Sequence, residues 1–237
     1  VDLHLPAGST VAIVGENGAG KTTLMRIVAG EIHQDRGTVE APARIGMVHQ
    51  HFAIVQEMTI AENLALLDRS AFRFISFRSI EREAARTIAR SGIDLPDVSR
   101  RAGDLAVGEK SKLELIKAIA IDPELLVLDE PTSVLTPLES EELFKVIRDR
   151  AQRGAAVVFI SHKVPEVLEI AQRIVVMRGG RLVVDAPRAE MTGDSIANAM
   201  VESGARAIPP ARSRERSSPV LQVDEALTLH RNEIVAI

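Results

Sequence analysis

The chain has 237 residues, 46% hydrophobic and 26% charged, with a formal net charge of -4 and no Cys, Trp or Tyr. This composition excludes a disulfide framework, a cysteine zinc site and a thiol nucleophile, and suits one α/β domain of about 200 residues with a remainder. Acidic and basic residues intermingle without a long single-sign run, so no electrostatic footprint for nucleic acid stands out and none is expected as a partner. No stretch reaches the roughly 18 to 20 apolar residues of a spanning helix, and the N-terminus lacks the pattern of a secretory leader. Work at a membrane would require docking on a partner.

Val1, Leu3 and Leu5 alternate before a Pro6-Ala7-Gly8 turn, and the run Thr10 to Val14 reads as a fully buried strand. A glycine-rich loop follows. From Lys21 to Ala29 the apolar residues Leu24, Met25, Ile27 and Val28 recur at helical spacing, and Gly30 stands where a helix C-terminal glycine belongs. Apolar β-branched runs at Leu125 to Leu128, Ala155 to Ile160 and Ile174 to Met177 alternate with helical stretches near 79–91, 109–121, 137–153 and 164–171. That alternation predicts an α/β sheet with crossover helices.

Beyond Ser203 the composition changes. Pro209, Pro210 and Pro219, with arginines and serines between them, read as a linker over 204–219. Past it, Leu227, Leu229 and Val235-Ala236-Ile237 repeat Leu3, Leu5 and Val11-Ala12-Ile13 at a constant offset of 224. Residues 220–237 therefore read as the start of a second copy of domain 1–203. The expectation is an excerpt cut at both ends.

Gly15-Glu16-Asn17-Gly18-Ala19-Gly20-Lys21-Thr22 satisfies G-x-x-x-x-G-K-[ST] between a predicted strand and a predicted helix, the context this motif requires. Its glycines let backbone N–H groups wrap an anion at a helix N-terminus, Lys21 adds a point charge at the β/γ position, and the Thr22 hydroxyl can hold magnesium. The strand Leu125 to Leu128 then delivers Asp129 to the carboxyl edge of the sheet, where α/β proteins bind ligands, and Glu130 follows as a candidate general base. His162 ends another apolar strand and would project at the same edge, though a lone histidine there is more often structural or solvated than functional. Gln50, in Met47-Val48-His49-Gln50-His51, could orient water or magnesium or simply cap a loop.

In this order the motifs resemble the nucleotide-binding subunits of ATP-binding cassette (ABC) transporters, over roughly residues 1–203. The matching stretches are the phosphate loop Gly15 to Thr23, a glutamine loop at Gln50, a signature-like Leu105-Ala106-Val107-Gly108-Glu109 before a helix, Leu128-Asp129-Glu130-Pro131-Thr132-Ser133, and a switch histidine at His162. Val107-Gly108-Glu109 with Glu114, Lys117 and Ala118, the run Val134-Leu135-Thr136-Pro137, and Ile160-Ser161-His162-Lys163 are similar to the tandem-cassette ATPases of simple-sugar and especially nucleoside importers.

The resemblance implies a phosphate-loop NTPase fold with a RecA-like core sheet and a helical subdomain over about 52–121. It implies ATP and Mg2+ as cofactors, with Lys21 and Thr23 in the loop on phosphates, Thr22, Gln50 and Asp129 around magnesium, Glu130 as base and His162 sensing the γ-phosphate. Ala106, Val107, Gly108 and Glu109 would face the nucleotide of an opposing cassette, either the second of the same chain or that of a dimer partner. Transmembrane permease subunits would be the direct partners, a solute-binding protein an indirect one, and the cytoplasmic face of the cell membrane the place of work.

The departures carry weight as well. Ala106 stands where the family's signature serine is usual, which removes a donor to the γ-phosphate in trans, and Lys110 and Ser111 replace glutamines. No aromatic residue precedes Phe52 to stack on adenine. A nucleotide-binding scaffold without turnover, and a soluble ABC ATPase outside transport, are the alternatives. Phe72, Phe74 and Phe77 beside Arg73 and Arg78 read either as a permease-facing surface or as ordinary core packing.

Overall fold

The computed structural model describes residues 1–50, 52–67 and 76–201, together with the backbone of two short strands at 219–223 and 227–230. The first of two compact units, Val1–Glu202, is built on a six-stranded sheet. Its elements in chain order are β1 Thr10–Val14, α1 Lys21–Val28, β2 Ile45–Val48, α2 Ile60–Ala65, α3 Phe77–Ser91, α4 Val107–Ala120, β3 Leu125–Asp129, α5 Pro137–Gln152, β4 Ala156–Ile160, α6 Val164–Ile170, β5 Arg173–Arg178, β6 Arg181–Pro187 and α7 Gly193–Met200.

The sheet order is β2-β3-β4-β1-β5-β6, parallel throughout except for β6, which returns antiparallel on β5. Strands β1, β3 and β4 are buried at every position, which is why they read as unbroken apolar runs rather than alternations. Their side chains nevertheless alternate between two cores. Leu126, Leu128, Val157 and Phe159 face α2 to α5, where Phe159 meets Phe144 edge to face at 6.0 Å, and Leu125, Val127, Val158 and Ile160 face Met25 of α1. Ala12, Val14, Ile174 and Val176 pack on Val167 of α6 and Ile196 of α7.

The helices predicted near 79–91, 109–121, 137–153 and 164–171 correspond to α3, α4, α5 and α6. Elements outside the predicted stretches include helix α2, strand β6 and helix α7. Strand β6 has a burial pattern that alternates along its length, and it is joined to β5 by Gly179-Gly180, both at positive φ, a two-residue hairpin turn. Helix α7 begins at Thr192, whose hydroxyl accepts from Ser195 N–H. Leu3 and Leu5 are half-buried on either side of the exposed His4, but Val1 is exposed and residues 1–5 form no strand.

The second unit, Ser203–Ile237, contains β7 Pro219–Val223 paired antiparallel with β8 Leu227–His230. Linker residues 204–218, the repeat residues Val235 to Ile237, and Phe72, Arg73 and Phe74 of the phenylalanine-rich stretch lie outside the described residues.

Candidate functional site: a phosphate loop beside paired carboxylates

The four strands β2, β3, β4 and β1 are neighbours in the sheet, and each ends in a segment that sequence alone marks. Gln50 follows β2, Asp129 ends β3, His162 follows β4 and the glycine loop follows β1. Parallel order brings all four carboxyl ends to one edge, the place where ligands enter such sheets. One cavity there is lined by Lys21, Thr22, Gln50, Asp129 and Glu130 with the arc of the loop.

The loop's conformation depends on its glycines. Gly15 has φ 154°, and a Cβ built on it would lie 2.2 Å from the carbonyl oxygen of Met177. Gly20 caps α1 in the left-handed region, φ 96°, so the helix opens directly into the loop. The first turn of α1 holds no acidic residue, which leaves its positive end available to an anion. Lys21 is 7% exposed, and its ammonium donates to the carbonyls of Gly15 at 2.8 Å and Glu16 at 3.0 Å. Burial lowers its pKa, while the carboxylates of Glu130 and Asp129 act in the opposite direction.

Thr22 Oγ1 donates to Asp129 Oδ2 at 2.6 Å. Asp129 is 3% exposed and its pKa is raised, first by burial; the Thr22 bond pulls the other way. A hard cation suits this pair, since magnesium is held by a hydroxyl, one or two carboxylates and substrate phosphates rather than by a full protein cage. No cluster of three or more His, Asp or Glu fit for a metal occurs among the described residues.

Glu130 adopts φ 50°, a left-handed conformation costing a non-glycine residue roughly 1 to 3 kcal/mol. Its N–H donates to the Ile160 carbonyl at 3.0 Å, which fixes the turn against the end of β4. The Glu130 carboxylate meets His162 Nδ1 at 3.1 Å, with the histidine side chain 53% exposed and the glutamate 15%. The two candidates from separate strands therefore touch.

The signature-like residues do not line this cavity. Ala106 is the N-cap of α4, and its N–H donates to Glu109 at 2.8 Å, half of a capping box. Alanine has no oxygen to return the bond to the Glu109 N–H. Two ties from this helix were not visible in sequence. The carboxylate of Glu139, in the first turn of α5, accepts from Thr136 N–H at 3.0 Å, pairs with Lys112 at 3.6 Å, and lies 2.9 Å from where a Cβ on Gly108 would stand. Lys117, paired with the buried Glu114, donates to the carbonyl of Ala53, three residues beyond Gln50. Helix α4 thus joins the signature end to the segment after Gln50.

A parallel sheet with a glycine-rich phosphate loop and a strand-end Asp-Glu pair defines a nucleoside-triphosphate-binding α/β domain. The chain belongs to the ABC transporter family, whose sequence pattern matches residues 1–133. It is 34% identical over 243 residues to the ribose import ATP-binding protein RbsA 2 of Rhizobium etli, covering 94% of this chain and 47% of that protein. It is 38% identical over 217 residues to RbsA 3 of Rubrobacter xylanophilus, covering 85% and 43%. The chain spans about half the length of the curated relatives it matches. Among solved structures, a dimeric ATP-binding cassette in a post-hydrolysis state with ADP and Pi superposes with a TM-score of 0.69 at 20% identity, over 79% of this chain and 89% of that one. An ATP-binding subunit of an ABC transporter superposes at 0.71 and 19% identity, over 84% and 91%. The fold is that of an ABC cassette, and the family is one of ATPases that take ATP with Mg2+.

Proposed function

We propose that the chain binds and hydrolyses ATP to energise an ABC importer of a simple sugar or nucleoside, docked on permease subunits at the cytoplasmic face of the membrane. Residues 1–203 form the first cassette in this reading, with a helical subdomain at about 52–121, and 220–237 begin a second. The observation that carries it is the convergence of Lys21, Thr22, Gln50, Asp129 and Glu130 on one cavity, with Glu130 in contact with His162.

Lys21 exchanges the loop carbonyls for phosphate oxygens, and the loop N–H groups and the α1 N-terminus offset the remaining negative charge. Thr22, Asp129 and Gln50 would hold Mg2+, which neutralises charge on the phosphates. Glu130 takes the proton of the water that attacks the terminal phosphorus. With Nδ1 carrying a proton, His162 donates to Glu130, and Nε2 can donate to the γ-phosphate only when it is protonated as well. The relatives named as ribose import ATP-binding proteins support the solute class.

A scaffold without turnover is favoured by one observation, the missing hydroxyl at Ala106. A γ-phosphate bond of that kind is worth about 1.5 to 3 kcal/mol. The test is magnesium-dependent ATP turnover of the protein, of Glu130→Gln and of Ala106→Ser. Glu130→Gln should lower turnover by a factor on the order of 100 to 10,000, and Ala106→Ser should raise it about tenfold. ATP binding without turnover in all three would establish the scaffold.

A further inference from the structure

Behind the Glu130–His162 contact lies a closed ring of polar side chains to which the reading above gives no role. Thr132 is 1% exposed and Ser161 is 2% exposed. The Thr132 hydroxyl donates to Glu166 Oε2 at 2.5 Å, and the Ser161 hydroxyl reaches the same oxygen at 3.4 Å. Lys163 closes the ring: its N–H donates to Ser161 Oγ at 3.1 Å, its ammonium donates to the Thr132 carbonyl at 3.0 Å, and that ammonium pairs with Glu166 Oε1 at 3.1 Å.

The sequence positions give this ring its meaning. Ser161 and Lys163 are the two residues that flank His162, and Thr132 lies two residues after Glu130 on the same turn. One carboxylate, Glu166 in the first turn of α6, therefore binds both segments that must meet for Glu130 and His162 to touch. Glu130 also needs such support, because its left-handed backbone persists only where the surroundings over-determine it. Without Glu166, two buried hydroxyls and an ammonium lose their common acceptor, and the turn and the histidine segment keep only the Lys163–Thr132 and Glu130–Ile160 bonds to backbone carbonyls between them.

We propose that Glu166 is a positioning residue, which acts through Thr132, Ser161 and Lys163 to hold His162 against Glu130 and to keep Glu130 aimed into the nucleotide cavity. The effect on turnover rests on the ATP-hydrolysing reading; the effect on geometry does not. An acidic residue in a first helical turn could instead serve α6 alone, by favourable interaction with the helix dipole. That role would cost stability and leave the Glu130–His162 contact in place.

The experiment has two arms, both on the full chain. Crystal structures of nucleotide-free wild type, Glu166→Ala and Thr132→Val read the geometry directly. Thr132→Val keeps the side-chain shape and the first-turn charge of α6, so it stands in if Glu166→Ala fails to fold. Loss of the 3.1 Å contact between His162 Nδ1 and Glu130 in the variants is the expected result, and its persistence in either overturns the proposal. The second arm is steady-state kinetics. Glu166→Ala should lower kcat by about tenfold with KM for ATP within about twofold. Glu166→Gln, whose amide oxygen still accepts from Thr132, should recover part of the loss. Glu166→Ala combined with His162→Ala should lose less than the product of the two single losses, because part of the Glu166 effect runs through His162, whereas fully multiplied losses would show that Glu166 does not act through His162. A wild type that binds but does not hydrolyse ATP removes the hydrolytic reading, and the crystal structures then decide on Glu166 alone.

Discussion

Asp129 is an acid held where its charge is disfavoured. Burial raises its pKa against the pull of the Thr22 hydrogen bond, so the native chain binds that proton more tightly than the unfolded chain does. Ionising it then costs stability: the cost is complete above the raised native value and disappears below the unfolded value near about pH 4. In the absence of nucleotide and metal, Asp129→Asn should therefore melt at a higher temperature than wild type at neutral pH, because the amide can still accept from Thr22. The gap should narrow as the pH is lowered toward the ordinary carboxylate range. Magnesium with ATP should reverse the order, since a bound cation inverts the local preference and an amide is a poor substitute for a carboxylate. Thermal melts across pH, with and without magnesium ATP, check both signs. A wild type more stable than Asp129→Asn at neutral pH without ligand would refute the burial argument.

At the scale of elements, the contact between β2 and α4 sets how closely the segment bearing Gln50 lies against the signature helix. A Cβ on Gly46 would fall 2.2 Å from the carbonyl oxygen of Ala118, so the strand can approach the helix only without a side chain at that position. Gly46→Ala should destabilise the chain by about 1 to 3 kcal/mol through forced backbone shifts, read as a lower denaturant midpoint at unchanged m-value. A stability within about 0.5 kcal/mol of wild type would mean that the strand and helix separate freely. The same elements show what was legible beforehand. Strands β1, β3 and β4 were readable because burial on both faces writes itself as a continuous apolar run. Strand β6 was not, because every second residue is exposed and Arg181, Asp185 and Pro187 break the apolar signal; the Gly179-Gly180 turn was the cue that could have revealed it. Lys21, Thr22, Asp129 and Glu130 stood out through local motifs. The Glu166 ring did not, since Thr132 and Glu166 are 34 residues apart and meet only through the pairing of β3 with β4. Similarly, no local motif marks Glu139, whose carboxylate lies against Gly108 only because α4 and α5 come together.

For the whole molecule, the proposed transport role calls for a surface that meets a membrane partner, since none of the described helices is long and apolar enough to cross a membrane. The described surface carries one candidate near α2 and α3, which pack against each other. Leu66 and Leu67 just past α2 are 43% and 39% exposed, and Phe77 at the start of α3 is 74% exposed. Large apolar side chains left this exposed are candidate partner contacts, and each is tested singly. Phe77 is the sharpest probe, because so exposed a side chain contributes little to folding. Phe77→Ser should change stability by no more than about 0.5 kcal/mol and ATP affinity by no more than about twofold. If Phe77 is buried against a permease, its loss removes about 1.5 to 3 kcal/mol of apolar burial, a weakening of about 10- to 150-fold. Titration of the protein onto permease subunits in nanodiscs, beside ATP binding measured on the same preparations, separates the two effects. Unchanged permease affinity would place the docking surface elsewhere, and equal loss of permease and ATP binding would show that Phe77 supports the fold rather than the contact.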